Sequence, residues 1–126
     1  MSIANSNLEN LQKFVSNKDK LRENHPLRYL FWESTLRCNL SCLHCGSDCV
    51  KDNSTAHQEL SVKRIKAELL LISKKYDPKT ITFAIIGGEP LVRLDDIVEV
   101  GSYAADLGFF WGITTNGMLL DESAIS

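Results

Sequence analysis

The feature that most constrains the fold is an alternation of short apolar segments with amphipathic helical segments. Apolar segments of strand length lie at residues 29–35, 80–86 and 109–114. The helix between the first two is marked by Val62, Ile65, Leu69, Ile72 and Tyr76, and the next helix by Leu94, Ile97, Val98, Gly101 and Ala105. This alternation predicts an α/β fold whose parallel β/α repeats form a sheet or part of a barrel.

Individual residues predict how the middle strand is buried and where the helices begin and end. The middle strand is so uniformly apolar that we expect it to be buried on both faces. Gly108 is predicted to cap the carboxyl end of the second helix, and Asp121 to begin a third one that continues towards Ser126. Each of the three strands is followed at once by polar or glycine-rich residues.

The amino-terminal part differs in character from the rest. Leu8, Leu11 and Val15 predict a short lead-in helix, and the charged residues 18–26 predict a solvated linker that ends at Pro26. We therefore divide the chain into a lead-in segment at residues 1–26 and a core domain at residues 27–126.

Composition and charge give no support to several classes of protein. The 126 residues carry a formal net charge of −2, and basic and acidic residues are interleaved, so the sequence gives no evidence for nucleic-acid binding. The first ten residues have neither a basic start nor an apolar run, and no later segment is apolar for long enough to span a membrane. We expect a cytoplasmic protein.

Four cysteines lie within one short segment directly after the first strand. Cys38, Cys42 and Cys45 follow one another at intervals of four and three residues, which allows three thiols to converge on one metal centre. In a reducing compartment such a group indicates metal binding or catalysis rather than disulfides. A cubane iron–sulfur cluster normally takes four thiolates, so three would leave one iron open to a small molecule.

Two other segments follow the second and third strands. Gly87-Gly88-Glu89-Pro90 ends the middle strand, and Thr115-Asn116-Gly117 ends the third. Ligands of such folds bind at the carboxyl ends of the parallel strands, so all three segments are predicted to meet at one rim. Each glycine-containing segment is equally typical of an ordinary tight turn.

The order CNLSCLHC, GGEP and TNG resembles the radical S-adenosylmethionine (SAM) superfamily over Leu27 to the end of the chain. The resemblance implies the first three β/α units of a partial (β/α)6 TIM-like barrel, truncated here, so that these residues alone would be inactive. It also implies that Cys38, Cys42 and Cys45 hold a [4Fe–4S] cluster whose fourth iron is chelated by SAM. The loop sequence is most similar to members that carry a further cysteine-rich cluster domain, the SPASM-type group.

The resemblance assigns further residues to the cofactor. His44 would pack near the adenine, or merely on its own loop. Gly87, Gly88 and Glu89 would bind the methionine part of SAM, with the carboxylate facing its ammonium group. Thr115 and Asn116 would lie near the cofactor as additional contacts.

The function that the resemblance implies is reductive cleavage of SAM to methionine and a 5′-deoxyadenosyl radical, which abstracts hydrogen from a substrate. A small electron donor such as flavodoxin or ferredoxin would be a partner, and a peptide or protein would be the substrate. Two alternatives remain from the residues themselves: an iron–sulfur electron carrier that uses Cys49 as fourth ligand, or a structural zinc site. In the leading interpretation Cys49 binds no metal.

Overall fold

The computed structural model describes residues 3–125, with side chains from residue 5 onwards; Met1, Ser2 and Ser126, which fall within predicted segments, lie outside the described residues. The elements follow the predicted alternation. They are α1 (Ile3–Asn24), β1 (Tyr29–Glu33), α2 (Val62–Lys75), β2 (Thr82–Ile86), α3 (Leu94–Leu107), β3 (Phe110–Ile113) and α4 (Glu122–Ile125). Short 3₁₀ turns at Ala56–Gln58, Pro78–Thr80 and Pro90–Arg93 lie in the connections.

The three strands form one parallel sheet in the order β1-β2-β3, as the sequence predicts. Tyr29 aligns with Thr82, which aligns in turn with Phe110. Helices α2 and α3 pack against each other. The buried core consists of Trp32, Ile65, Leu69, Ile81, Phe83, Ile85, Ile97, Val100, Ala104 and Phe109.

Burial of β2 is one-sided in the part of the chain that the structure describes. Phe83 and Ile85 are buried in the core, whereas Thr82, Ala84 and Ile86 on the opposite face are only partly buried. The expectation of burial on both faces is therefore wrong for these residues. The helices cover one face of the sheet, and the alternation of side chains along a strand puts every second residue on the other face.

The face that α3 buries agrees with the prediction only in part. Val100 and Ala104 are fully buried, whereas Val98 is half-exposed and Ala105 is exposed. Ile97 and Gly101 are buried as predicted, and a side chain at position 101 would overlap the ring of Trp111. The helix therefore turns its glycine towards the third strand. Gly108 ends α3 in the left-handed conformation, with φ of 101°, as predicted.

The amino-terminal helix is longer than the sequence suggested. Helix α1 continues to Asn24, so the solvated linker predicted at residues 18–26 is wrong for most of its length. Residues 18–23 contain no glycine, proline or β-branched residue, and nothing in them stops a helix before Pro26. Along the described part of the chain, α1 included, no helix combines the length and the apolar character needed to cross a membrane.

Helix α4 begins where the sequence predicted a helix start. The carboxylate of Asp121 accepts a hydrogen bond of 2.9 Å from the backbone N–H of Ala124, which is the role of a helix cap.

Candidate functional site

The segments that follow the three strands line one cavity at the carboxyl end of the sheet. Its volume is about 530 Å³. The residues that the sequence singled out among its lining are Cys38, Cys42, Cys45, Cys49, Gly87, Gly88, Glu89, Thr115 and Asn116. The prediction that three sequence-distant segments meet at one rim is therefore confirmed.

A short bridge closes the cysteine loop at its base. The backbone N–H of Cys38 donates to the carbonyl of Val50 at 2.8 Å, and the N–H of Val50 donates to the carbonyl of Leu36 at 2.9 Å. Arg37 and Val50 thus pair like neighbouring parallel strands. The chain leaves the end of β1 and returns to it, so all the cysteines are held within one closed loop.

The thiols inside the loop are free and differ in exposure. Cys42 and Cys45 are exposed, whereas Cys38 and Cys49 are half-buried. The sulfur atoms of Cys45 and Cys49 are 3.7 Å apart. Burial, the hydrogen bond with Cys45 and the charges of Cys45, Cys38 and Glu33 raise the pKa of Cys49 to about 11. Cys49 therefore lies among the other thiols and favours its neutral form.

The cysteine loop supplies thiols to the cavity, and thiolates are the ligands that iron–sulfur clusters take in proteins. Among residues 3–125, no three His, Cys, Asp or Glu side chains lie close enough to hold one metal ion. A cubane cluster distributes its thiolates over separate irons, so its ligands do not have to converge on one point. Cys38, Cys42 and Cys45 line one cavity with free thiols, and these residues fit a [4Fe–4S] cluster.

The glycine pair packs directly on the backbone that leads into the cysteine loop. Gly88 N–H donates to the carbonyl of Thr35 at 2.7 Å, and Glu89 N–H donates to that of Arg37 at 2.8 Å. A side chain on Gly88 would overlap the Arg37 carbonyl, and one on Gly87, whose φ is 153°, would meet the Thr35 carbonyl. The glycines are needed for this close approach, and they also line the cavity.

Glu89 connects the second and third segments. Its side chain is buried, with a relative exposure of 1%. One carboxylate oxygen accepts from the Thr115 hydroxyl at 2.6 Å and from Leu91 N–H at 3.1 Å. The other accepts from Asn116 N–H at 2.8 Å. Two carboxylate oxygens offer about four acceptor directions, so these three bonds leave room for one further donor such as an ammonium.

Asn116 closes the ring of contacts between the segments. Its side-chain amide donates to the side-chain oxygen of Asn39 in the cysteine loop at 2.8 Å. Its own oxygen accepts from Met118 N–H at 3.0 Å, so the segment is also a tight turn, with Gly117 at φ of 76°. The turn and the lining of the cavity are compatible. No role for Asn39 could be predicted, because a lone asparagine between cysteines forms no recognisable pattern.

The remaining predicted residues lie at the margin. His44 is exposed and is not among the residues that line the cavity, and its contact with an adenine stays a prediction. Glu33 is the last residue of β1, and Arg37 directly precedes the first cysteine. Arg37 is half-buried and binds Glu59, whereas the exposed Glu33 has Ser47 as a neighbour at 3.5 Å.

Sequence reasoning missed Glu59 and Arg93, two charged residues behind the site. Arg37 donates to both carboxylate oxygens of Glu59, at 2.8 and 3.0 Å. Buried Arg93 lies 3.8 Å from the same carboxylate and donates to the Ser34 carbonyl at 2.6 Å. Burial alone would raise the pKa of Glu59, but hydrogen bonds from Arg37 and Thr35 and the two guanidinium charges lower it below its usual value. Arg37, Glu59 and Arg93 are far apart in the sequence, so their association could not be predicted from it.

Comparison with known proteins agrees with this geometry. The family profile described as Radical SAM superfamily matches residues 32–126. The chain belongs to the radical SAM superfamily, whose members are enzymes that use a [4Fe–4S] cluster and SAM. The α/β repeat with a parallel sheet is consistent with the partial β/α barrel expected of it.

Several relatives carry specific names. The chain is 35% identical over 109 residues to a probable GTP 3′,8-cyclase of Methanothermobacter marburgensis, which covers 84% of the chain and 33% of the relative. It is 34% identical over 98 residues to an AdoMet-dependent heme synthase of Methanosarcina barkeri, covering 78% of the chain and 26% of the relative. An Fe-coproporphyrin III synthase of the same species is 39% identical over 91 residues, or 72% of the chain and 21% of the relative.

The chain thus spans a third or less of the length of these relatives. No solved structure matches it.

Proposed function

We propose that this chain forms the cluster-binding and SAM-binding part of a radical enzyme, with Cys38, Cys42 and Cys45 as the cluster ligands. The observation that carries the proposal is the single cavity lined by these three thiols and by the segments after β2 and β3. The family supports radical chemistry with SAM. The particular ligands and the whole reaction are proposals for this protein.

The chain's own residues have separable tasks in this proposal. The three thiolates would hold the cluster and would leave one iron open to SAM. Glu89 keeps one acceptor direction for the ammonium of SAM, while its other bonds hold Thr115 and Asn116 at the rim. The backbone contact of Gly88 with Thr35 fixes the distance between this rim and the cysteine loop.

The bound cofactors would supply reductive cleavage of SAM to methionine and a 5′-deoxyadenosyl radical that takes hydrogen from the substrate. A small electron donor of the flavodoxin or ferredoxin type would provide the electron. The names of the relatives refer to GTP, haem and Fe-coproporphyrin III and give no support to a peptide substrate. We therefore propose a small nucleotide or a tetrapyrrole as substrate, to be identified by which of them stimulates release of 5′-deoxyadenosine.

The test is anaerobic reconstitution of the full-length protein with iron and sulfide, followed by electron paramagnetic resonance of the reduced cluster with and without SAM. We expect a spectrum that changes on addition of SAM. Cys42→Ser should abolish the cluster, and because Cys42 is exposed the variant should still fold. The matched control, Cys49→Ser, should keep both the cluster and its response. A wild-type spectrum that ignores SAM would contradict the proposal.

One observation favours a second candidate, an electron carrier with four cysteine ligands. Cys49 lines the same cavity and lies 3.7 Å from Cys45, so a fourth thiolate is within reach. A carrier would hold its cluster closed, and SAM would have no open iron to bind. In that case Cys49→Ser would expose one iron and create sensitivity to small ligands that the wild type lacks, which is the reverse of the result expected above.

A further inference from the structure

Glu59 occupies a position that neither the sequence patterns nor the family chemistry explains. It lies in the connection between the cysteine loop and α2, directly after the 3₁₀ turn Ala56–Gln58. Its side chain is only 12% exposed. The carboxylate accepts from the hydroxyl of Thr35 at 2.5 Å and from two nitrogens of Arg37 at 2.8 and 3.0 Å. A nearly buried carboxylate thus binds both side chains that flank Leu36.

A second arginine fastens the same region from the other side. Arg93 follows the Glu89-Pro90 corner, and its side chain is 7% exposed. It lies 3.8 Å from Glu59 and donates to the carbonyls of Ser34 and Leu60 at 2.6 and 3.0 Å. Its charge is shared with Asp96, which accepts from it at 2.9 Å. The carboxylate of Glu59 therefore sits between two cations that both reach the chain between β1 and the cysteines.

The segment that Glu59 holds is the one on which the site is built. The carbonyls of Thr35 and Arg37 accept from the N–H groups of Gly88 and Glu89, and the next residue is Cys38. Any displacement of this segment would move the cysteine loop relative to the glycine rim. Charge-assisted, two-pronged hydrogen bonds to a carboxylate are directional, so they fix orientation as well as distance.

Resting on the proposed function, we propose that Glu59 is a positioning residue: it sets the cysteine loop against the Gly87–Glu89 segment and so fixes where SAM lies relative to the cluster. Glu59 does not line the cavity, so it acts through Thr35 and Arg37 rather than on the cofactor itself. The competing explanation is a stabilising ion pair with no local effect. The two differ in where the structure loosens when the carboxylate is lost.

Hydrogen exchange of the full-length protein without cofactors separates these explanations. In Glu59→Gln, the amides of Cys38, Gly88 and Glu89 should exchange roughly tenfold faster. The lost charge-assisted bonds hold Thr35 and Arg37, whose carbonyls accept from Gly88 and Glu89, and Cys38 directly follows Arg37. Amides of the buried part of β2 should exchange at the wild-type rate. Glu59→Asp, which keeps the charge, should restore part of the protection.

A matched control is available in Glu68. It pairs with Arg64 on the surface of α2 at 2.7 Å, so Glu68→Gln removes the same type of ion pair far from the site. This variant should leave exchange of Cys38, Gly88 and Glu89 unchanged. If Glu59→Gln leaves those amides unchanged too, or speeds exchange equally throughout the core, the positioning role is refuted. Should Glu59→Gln fail to fold, Arg37→Lys removes the two-pronged contact and takes the same test.

The second readout is SAM binding to the reconstituted protein. Glu59→Gln should bind its full complement of iron, whereas the SAM concentration at half-maximal spectral change should rise about tenfold. An unchanged concentration would contradict the proposal. If the wild-type cluster does not respond to SAM at all, the proposed function fails, but hydrogen exchange still decides whether Glu59 holds the loop.

Discussion

The cysteine loop and the Gly87–Glu89 segment line the same cavity, yet they are held in opposite ways. Cys42 and Cys45 are exposed, and the sulfur of Cys45 lies 3.7 Å from the sulfur of Cys49. Glu89 is buried and accepts three hydrogen bonds, and Gly88 is packed on backbone. One side of the cavity is built from the protein's own contacts, and the other presents free thiols.

This difference indicates a division of labour between protein and cofactor. The Gly87–Glu89 segment is held by hydrogen bonds within the chain, so its geometry can exist before any ligand binds. Free thiols gain their fixed geometry when a cluster ties them together. We expect substitutions in the Gly87–Glu89 segment to affect both folding and the site. Substitutions between the cysteines should affect cluster binding alone.

The largest expected effect comes from adding a methyl group at Gly88, with the same addition at Gly46 in the cysteine loop as the comparison. Gly88→Ala should destabilise the protein by about 3 kcal/mol or more, because the new carbon would overlap the backbone carbonyl of Arg37, which cannot move aside. Gly46→Ala is the matched control, since nothing lies within 4 Å of the position its side chain would take. Urea unfolding measures both. Equal stability of the two variants would contradict the contrast between the regions.

The second prediction removes the charge of Glu89 while keeping its shape. Glu89→Gln should lower the free energy of unfolding by about 2 kcal/mol, because an amide group would face donors that now meet a buried carboxylate. Glu33→Gln, at an exposed carboxylate at the end of β1, should change stability by less than about 0.5 kcal/mol. Equal stability of both variants would mean that the Gly87–Glu89 segment is not held by the bonds of Glu89 before a ligand binds.

The parts of the fold and of the site that depend on local sequence patterns could be predicted. Periodicity located the strands and helices, and the rule that ligands bind at the ends of parallel strands brought Cys38, Glu89 and Asn116 to one rim. Sequence reasoning missed what depends on packing between distant residues. The burial of Val100 and Ala104 depends on how α3 packs on the sheet, and the role of Arg93 depends on contacts with Ser34 and Leu60. No local spacing in the sequence reveals these contacts.

The third prediction concerns acid, and its sign follows from Glu59. Burial raises the pKa of this carboxyl, but hydrogen bonds from Arg37 and Thr35 outweigh that effect and lower it in the folded protein. A lowered folded-state pKa gives stability that is present above the unfolded value, near 4.5, and is lost as the pH falls through the folded value. Below pH 4.5, wild type should lose stability more steeply than Glu59→Gln. Parallel pH profiles would show that the ion pair contributes nothing.

The smallest expected effect concerns a side-chain hydrogen bond between the cysteine loop and the segment Thr115-Asn116-Gly117. Asn39 and Asn116 are exposed, and their bond is 2.8 Å long. A double-mutant cycle with Asn39→Ala and Asn116→Ala should give a coupling energy of about 0.5 kcal/mol, and it removes the separate effect of losing the Asn116–Met118 contact. A coupling energy above about 2 kcal/mol would mean that the cysteine loop is held as firmly as the Gly87–Glu89 segment before any cofactor binds. The contrast between the two sides of the cavity would then have to be abandoned.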